Sequence, residues 1–284
     1  MTSWIRVAPK KMTDDAVRPF LYKTGSAELA DEFNQYFYAT LYSQSVKRPL
    51  YVYDMANPIG PSYALIKETF VGVPETSFTD SMMPNATTLN PHDGTRAIPY
   101  VNSLPRDELQ TLAAGVLEWS PSMLKEISLI RTRANLPDVI DVGVHMVSKG
   151  VRPSDVSSVV AAYLDAVRQV DTRLGNPASL NVFVAAEQSV LLQDFVTKAP
   201  RSWRIYTIPQ TNMNVNGFSV VTFDRQQLRV RLEAYNEYVA ILSCLQTSEN
   251  LITSLSSDVG KFLFMTNTTM TYFRSMEATA FVAR

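Results

Sequence analysis

The sequence predicts an α/β fold in which two Rossmann-like domains face a cleft. Short apolar runs of strand length alternate along the chain with longer amphipathic segments, and this order implies parallel strands joined by right-handed crossovers. The 284 residues are enough for two domains of ordinary size. We predict an N-terminal α/β domain over residues 1–135 and a doubly wound domain over residues 136–284.

The first half shows a less regular pattern than the second. Residues 1–24 contain prolines and scattered charges, so we expect them to be irregular. A helix is predicted over residues 26–45, followed by a short strand over residues 50–54. A helix over residues 62–70 completes a strand–loop–helix unit. Residues 71–105 are rich in Pro, Thr, Asn and Asp, which predicts a long loop region with one or two short strands.

The second half alternates regularly between the two kinds of segment. Pro153 suits the first turn of a helix, and the leucines after residue 228 recur at steps of three and four. We predict strands over 139–145, 181–187, 203–209 and 250–255, and helices over 106–118, 122–133, 153–173, 189–198 and 228–245, with a last helix after Asp258.

The composition excludes several classes of protein. A net charge of −1, from 26 basic and 27 acidic residues, creates no general attraction for nucleic acid or an anionic membrane. One cysteine rules out an intramolecular disulfide framework and fits a reducing compartment, and two histidines leave few zinc ligands. The N-terminus lacks the apolar core of a signal peptide. We therefore expect a cytoplasmic protein without metal, cofactor, nucleic-acid partner or membrane insertion.

The first candidate site is the segment D-V-G-V-H-M-V-S-K-G, which ends at Gly150. A buried strand that opens into a loop presents ligand-binding groups at the carboxyl end of a parallel sheet. His145 and Ser148 would donate hydrogen bonds to a phosphate or sugar, and Lys149 would supply a positive charge. The alternative is a histidine in the core beside a solvated lysine.

The second candidate site is L-S-S-D-V, at the start of the last predicted helix. Backbone N–H groups at a helix N-terminus lack partners and attract anions, and the hydroxyls of Ser256 and Ser257 would add to them. The alternative is an ordinary N-cap. Asp258 would repel a phosphate unless it faces a ribose or sugar hydroxyl.

Three further side chains are candidates for acid–base or ligand contacts. Glu187 closes a predicted strand and would accept hydrogen bonds from a ribose or a base, or else it is a solvated carboxylate. Asp54 also ends a strand, where it would act as a general base or begin a turn. His92 is a weaker candidate base in a loop. No P-loop, G-x-S-x-G, H-E-x-x-H or G-x-G-x-x-G string occurs.

Three segments, taken in order, resemble motifs of the superfamily that includes the α1,6-fucosyltransferases and protein O-fucosyltransferases. They are V-G-V-H-M-V-S-K-G, V-F-V-A-A-E-Q and S-L-S-S-D-V-G-K, and with weaker upstream matches they span roughly residues 25–265. The resemblance implies a GT-B fold and inverting, metal-independent transfer of a sugar from a nucleotide-sugar donor to a glycan hydroxyl. Asp54 would then take the proton of that hydroxyl.

The chain departs from the family at the positions that hold the nucleotide. The family's paired arginines fall on Val147 and Ser148, and an acidic residue that contacts guanine falls near Ile241. Lys149 or Arg152 would supply the missing positive charge. These departures favour a UDP-sugar over GDP-fucose as the donor.

The short chain also resembles compact glycosyltransferases of large DNA viruses of algae, which would act in the host cytosol. Within that group we predict a xylosyltransferase that uses UDP-xylose. Two alternatives remain: a GDP-fucose-dependent fucosyltransferase, and a catalytically inactive GT-B module that binds glycans.

Overall fold

The computed structural model describes most of the second half of the chain and separate parts of the first. The described residues are 20–23, 29–45, 50–53, 56–57, 60–61, 68–71, 73, 87–89, 104–147, 151–210 and 226–276.

From residue 142 onward the described strands and α-helices alternate, as the sequence predicts. The strands are β1 (Phe20–Lys23), β2 (Leu50–Tyr53), β3 (Ala56–Asn57), β4 (Gly60–Pro61), β5 (Thr87–Leu89), β6 (Val142–Met146), β7 (Leu180–Ala186), β8 (Trp203–Tyr206), β9 (Asn250–Thr253) and β10 (Tyr272–Ser275). The α-helices are α1 (Leu29–Ser45), α2 (Arg106–Val116), α3 (Pro121–Arg133), α4 (Val156–Arg173), α5 (Ser189–Lys198), α6 (Leu228–Gln246) and α7 (Asp258–Thr266). None of them is both long and apolar enough to cross a membrane.

The second half forms a five-stranded parallel sheet in the order β10-β9-β6-β7-β8. From β6 the chain steps outward to β7 and β8, and then returns to the other side of β6 for β9 and β10. The three central strands are almost wholly buried, because helices cover both faces of such a sheet.

The two faces of this sheet belong to different core clusters. Val142, Val144 and Met146 of β6 pack with residues of α4 and α5. On the opposite face, Phe183 and Leu251 pack with α6 and α7. Gly143 also lies on this second face, where an added Cβ would be 2.4 Å from the Ser248 Oγ atom. A glycine is therefore needed for the chain after α6 to approach β6.

A second parallel sheet, in the order β2-β1-β5, lies in the first half. The prediction that residues 1–24 are irregular is wrong at β1, which is the central strand of this sheet. The run F-L-Y-K has only four residues, too few to show a period, and its hydrogen bonds come from strands distant in sequence. β5 falls inside residues 71–105, where short strands were predicted.

Helices of the two halves share one hydrophobic core. Phe33 of α1 packs 5.0 Å from Phe70 and 5.9 Å from Phe262 of α7, measured between ring centroids. Trp119, just before α3, stacks on Phe70 at 5.2 Å, and its Nε1 atom donates to the Gln246 Oε1 atom at 2.7 Å. The domain boundary near residue 135 stays a prediction.

Candidate functional site

The order of strands reverses between β6 and β9, which lie side by side in the larger sheet. In open α/β sheets, ligands bind in the crevice outside the carboxyl ends of the strands at this switch point. His145 is the second-last residue of β6 and Thr253 is the last residue of β9. The two candidate sites predicted from sequence therefore meet at this point.

A hydrogen bond joins the two strands at their carboxyl ends. The Nδ1 atom of His145 lies 3.2 Å from the Oγ1 atom of Thr253. Both side chains lie on the face that α6 and α7 cover, because Val144 and Ile252 point to the other face. His145 is 5% exposed and Thr253 is fully buried, so the bond is shielded from solvent.

Burial lowers the pKa of His145, and the negative charge of Glu187 acts in the opposite direction. Burial is the larger effect because the protonated ring loses its hydration there. The ring is therefore neutral at pH 7. Glu187 follows β7, and its backbone N–H donates to the Met146 carbonyl at 3.1 Å, which places the two strand ends together.

The turn from Ser254 into α7 is stabilised by its own hydroxyls. The Ser257 hydroxyl donates to the Ser254 carbonyl at 2.9 Å and accepts from the Gly260 N–H at 2.9 Å. Ser257 is therefore the N-cap of α7, and its proton is already engaged. Within the described residues, no acceptor contacts the backbone N–H groups of Asp258 and Val259, so these are the donors that the helix offers to an anion.

The side chains around this turn have separate roles. The Ser256 hydroxyl is exposed and lies 2.6 Å from the Ser254 hydroxyl. The Asp258 carboxylate forms an ion pair with Lys261 at 2.9 Å, on the surface of α7. This pairing partly neutralises the charge that would repel a phosphate at the helix N-terminus.

Helix α1 of the first half reaches the first turn of α7. The Asn34 side-chain amide donates to the Asp258 carbonyl at 2.9 Å. The pKa of Tyr38, one turn further along α1, is raised to about 12 by burial and then by the charges of Asp258 and Asp31. The first half of the chain therefore contributes to the surroundings of the candidate site.

The structure brings only some of the predicted site residues together. His145, Glu187, Ser256, Ser257 and Asp258 lie at the switch point or on the turn that follows β9. Arg152 is exposed at the start of the short 3-10 turn before α4. Outside the described residues lie Asp54, His92, Ser148 and Lys149, whose roles stay predictions.

Of the three positions where the sequence differs from the fucosyltransferase motifs that it resembles, Val147 and Ile241 are described and Ser148 is not. The Val147 backbone N–H donates to the Tyr163 hydroxyl at 3.3 Å, so its main chain is held by α4 although its side chain has no polar group. Ile241 is buried in the core that α6 shares with the first half. Neither Val147 nor Ile241 carries the charged side chain that the resemblance predicts at its position.

Sequence reasoning missed Thr253, the hydrogen-bond partner of His145. The residue precedes the S-L-S-S string, and threonine in a strand carries no functional signal by itself. Its role depends on the register of β9 beside β6, which sequence alone does not determine. Knowledge of the strand order was needed to find it.

Other features of the described structure lie away from the switch point. A cavity of about 320 Å³ lies beside α3 and the loop after it, and Arg131 at its wall donates to the Pro137 carbonyl at 2.8 Å. No residue at the carboxyl ends of the described strands lines this cavity. Among the described residues, no cluster of three His, Cys, Asp or Glu side chains is placed to hold a metal ion.

Solved structures share the fold of this chain at low sequence identity. The fucosyltransferase NodZ from Bradyrhizobium is similar over 93% of this chain and 96% of its own, with a TM-score of 0.58 and 13% identity. Arabidopsis thaliana FUT1 in complex with GDP matches 96% of this chain and 74% of its own, with a TM-score of 0.53 and 11% identity. POFUT1 matches 94% of this chain and 100% of its own, with a TM-score of 0.50 and 8% identity.

Sequence comparisons find no such match. No protein-family model matches the chain, and no curated protein matches it in sequence. The similarity to solved structures therefore concerns the fold, and it confirms the fold class predicted from sequence: a GT-B-like α/β fold, as in fucosyltransferases.

Proposed function

We propose that the protein is a glycosyltransferase that moves a sugar from a nucleotide-sugar donor to a glycan hydroxyl. One observation carries the proposal. The carboxyl ends of β6 and β9 and the N-terminus of α7 meet at the switch point of a fold that fucosyltransferases share. The N-terminus of α7 would provide hydrogen-bond donors for a diphosphate at this point without requiring a metal ion.

We propose that the donor is a GDP-linked sugar, and GDP-fucose is the first candidate to test. A NodZ structure was soaked with GDP-fucose and the FUT1 structure contains GDP. These neighbours give no support to UDP-xylose, which stays a prediction from the residues at Val147 and Ile241. GDP and UDP carry the same diphosphate, so the backbone N–H groups at the N-terminus of α7 would suit either nucleotide.

The proposed reaction is a direct displacement at the anomeric carbon. The acceptor oxygen forms a bond to that carbon while the bond from the carbon to the diphosphate oxygen breaks. A base takes the acceptor proton, and Asp54 is our candidate for it. Negative charge that develops on the diphosphate is stabilised by the backbone N–H groups at the start of α7 and by neutral His145.

Nucleotide binding is the first test of this proposal. Thermal unfolding should be measured with GDP, UDP and CMP and with their sugar conjugates, because a ligand that binds only the folded state raises its Tm. We expect GDP and GDP-fucose to raise the Tm. Stabilisation by UDP and UDP-xylose alone would contradict the proposed donor and support the xylosyltransferase prediction.

The chemistry itself is tested with the donor that binds. Release of free nucleotide should increase when a glycan acceptor is added. Asp54→Asn should lower kcat by orders of magnitude and leave the Kd for nucleotide unchanged. Unchanged turnover in this variant would remove Asp54 from the mechanism.

A second candidate function is a binding module that has lost catalysis. It is favoured by Val147, which stands where the family has an arginine and leaves the diphosphate without that guanidinium group. A module of this kind has no need for a diphosphate site. A protein that binds glycans but shows no change in Tm with any nucleotide would support this alternative.

A further inference from the structure

We propose that Thr253 is a positioning residue that holds His145 as the tautomer protonated at Nε2, so that Nε2–H donates to the diphosphate of the donor. The ligand class rests on the function proposed above. The assignment of the tautomer rests on the hydrogen bond between His145 and Thr253 and on the burial of both side chains.

The proton of the Thr253 hydroxyl needs an acceptor. Thr253 is fully buried, and the Nδ1 atom of His145 is the hydrogen-bond partner of its hydroxyl within the described part of the chain. A buried hydroxyl that donates no hydrogen bond costs free energy, because its proton gives up water and gains nothing. The Thr253 proton therefore points to Nδ1, which must be the acceptor.

The ring of His145 is neutral and accepts this hydrogen bond. A neutral imidazole carries one proton, so a ring that accepts at Nδ1 is protonated at Nε2. Burial lowers the pKa of His145 and keeps the ring neutral. The opposite tautomer would direct Nδ1–H at the threonine oxygen, and the hydroxyl proton would then have no acceptor among the described residues.

The Nε2–H group of His145 is then available to the ligand. Nε2 lies on the far side of the ring from Thr253, and a neutral N–H there suits a phosphate oxygen. The opposite tautomer would present a lone pair that repels it. Glu187 carries a negative charge near the ring, so we place the phosphate towards the N-terminus of α7 and the ribose hydroxyls towards Glu187.

The tautomer is measured directly by ¹⁵N nuclear magnetic resonance of the imidazole nitrogens in the wild-type protein without ligand. The chain has two histidines, and the signals that persist in His92→Gln belong to His145. We expect His145 to be protonated at Nε2 and unprotonated at Nδ1. The reverse assignment would overturn the proposal, whether or not the protein binds nucleotides.

Two variants of Thr253 test its effect on binding. Thr253→Val keeps the shape and removes the hydroxyl, while Thr253→Ser keeps the hydroxyl. We expect the valine variant to lose the preference for the Nε2–H tautomer and to bind GDP about tenfold more weakly, which corresponds to about 1.4 kcal/mol. The serine variant should stay within about twofold of wild type, because it retains the hydrogen bond.

A double-mutant cycle separates positioning from a general structural role. In the His145→Gln background, Thr253→Val should have no further effect on the Kd for GDP, since the ring that it positions is absent. An equal loss of affinity in both backgrounds would show that Thr253 acts independently of His145 and would overturn the proposal. If wild type binds no nucleotide, the proposed function fails, while the tautomer measurement still decides the assignment.

Discussion

Gly260 lies where the first turn of α7 passes the carbonyl group of Ser254. A Cβ atom added at Gly260 would be 1.8 Å from that oxygen, which belongs to the backbone and has little room to move. We expect Gly260→Ala to lower the free energy of unfolding by about 1–3 kcal/mol, the usual cost of an overpacked site. Urea denaturation would measure the loss, and GDP binding should weaken as the helix N-terminus shifts.

Gly115 provides the matched control, because a Cβ atom added there meets nothing within 4 Å. It lies near the end of α2, where alanine is favoured over glycine by about 0.5–1 kcal/mol. Gly115→Ala should therefore stabilise the protein and leave GDP binding unchanged. A destabilised Gly115→Ala, or a Gly260→Ala as stable as wild type, would contradict this account of the two glycines.

The lowered pKa of His145 predicts how stability depends on pH. Between the folded pKa and the ordinary value of about 6.5, the unfolded chain binds more protons than the folded protein, so stability rises with pH. The contribution of neutral His145 to the free energy of unfolding is fully present above about pH 6.5. It is lost as the pH falls through the pKa of His145 in the folded protein. When urea denaturation is measured from pH 5 to pH 8, the free energy of unfolding should depend less on pH in His145→Gln than in wild type. The same pH dependence in both proteins would contradict this prediction.

Individual residues of the candidate site could be proposed from sequence where they belong to a motif. His145 and the serines before α7 stand out because of residue type and position at strand and helix ends. Thr253 and Asn34 do not, because each acts through a partner distant in sequence, His145 in one case and the Asp258 carbonyl in the other. Contacts of this kind depend on the register of strands and the packing of helices.

The N-caps of α3 and α7 allow a comparison between two helix ends. Ser120 accepts from the Met123 N–H at 3.1 Å, as Ser257 accepts from the Gly260 N–H. Either serine-to-alanine change should cost about 1 kcal/mol of stability. Only Ser257→Ala should weaken GDP binding, because α7 alone begins at the switch point.

Titration calorimetry with GDP would measure the Kd of both variants, and urea denaturation would measure their free energies of unfolding. A loss of affinity in Ser120→Ala equal to that in Ser257→Ala would mean that binding follows overall stability. In that case the N-terminus of α7 would not be the anion site.

Elements could be predicted where they are long or strongly patterned. The predicted helix over residues 189–198 coincides with α5, and the repeating leucines identified α6. β1 and β10 were missed. Each has four residues, and those of β10 are half-buried, so neither gives a periodic signal. Both strands form because a neighbouring parallel strand supplies their hydrogen bonds. This pairing depends on the tertiary structure, which a short segment of sequence does not show.

Alternating strands and helices were enough to predict parallel sheets, but they leave the strand order open. The observed order places β9 beside β6 rather than beside β8. This choice creates the switch point and brings together two motifs that are more than a hundred residues apart. The candidate site therefore depends on the topology, while the sequence shows its separate motifs.

Because α1, α2 and α3 share a core with α6 and α7, we expect the two halves of the chain to unfold together. Removing the first half would expose the buried aromatic rings of that core, including Phe262. Unfolding in urea should then give a single transition, with the same midpoint by far-ultraviolet circular dichroism and by tryptophan fluorescence. Two separate midpoints would contradict a shared core.

Cys244 provides an independent probe of the same transition, since it is the single cysteine of the chain and lies buried in α6. Burial raises the pKa of its thiol to about 11, although the Arg131 guanidinium nearby favours the thiolate. Only the thiolate reacts with disulfide reagents, so labelling in the native protein should be slow. Its extent should rise with urea along the same curve as the loss of helix. Fast labelling without urea would show that α6 opens locally, and the two halves would then not unfold as one cooperative unit.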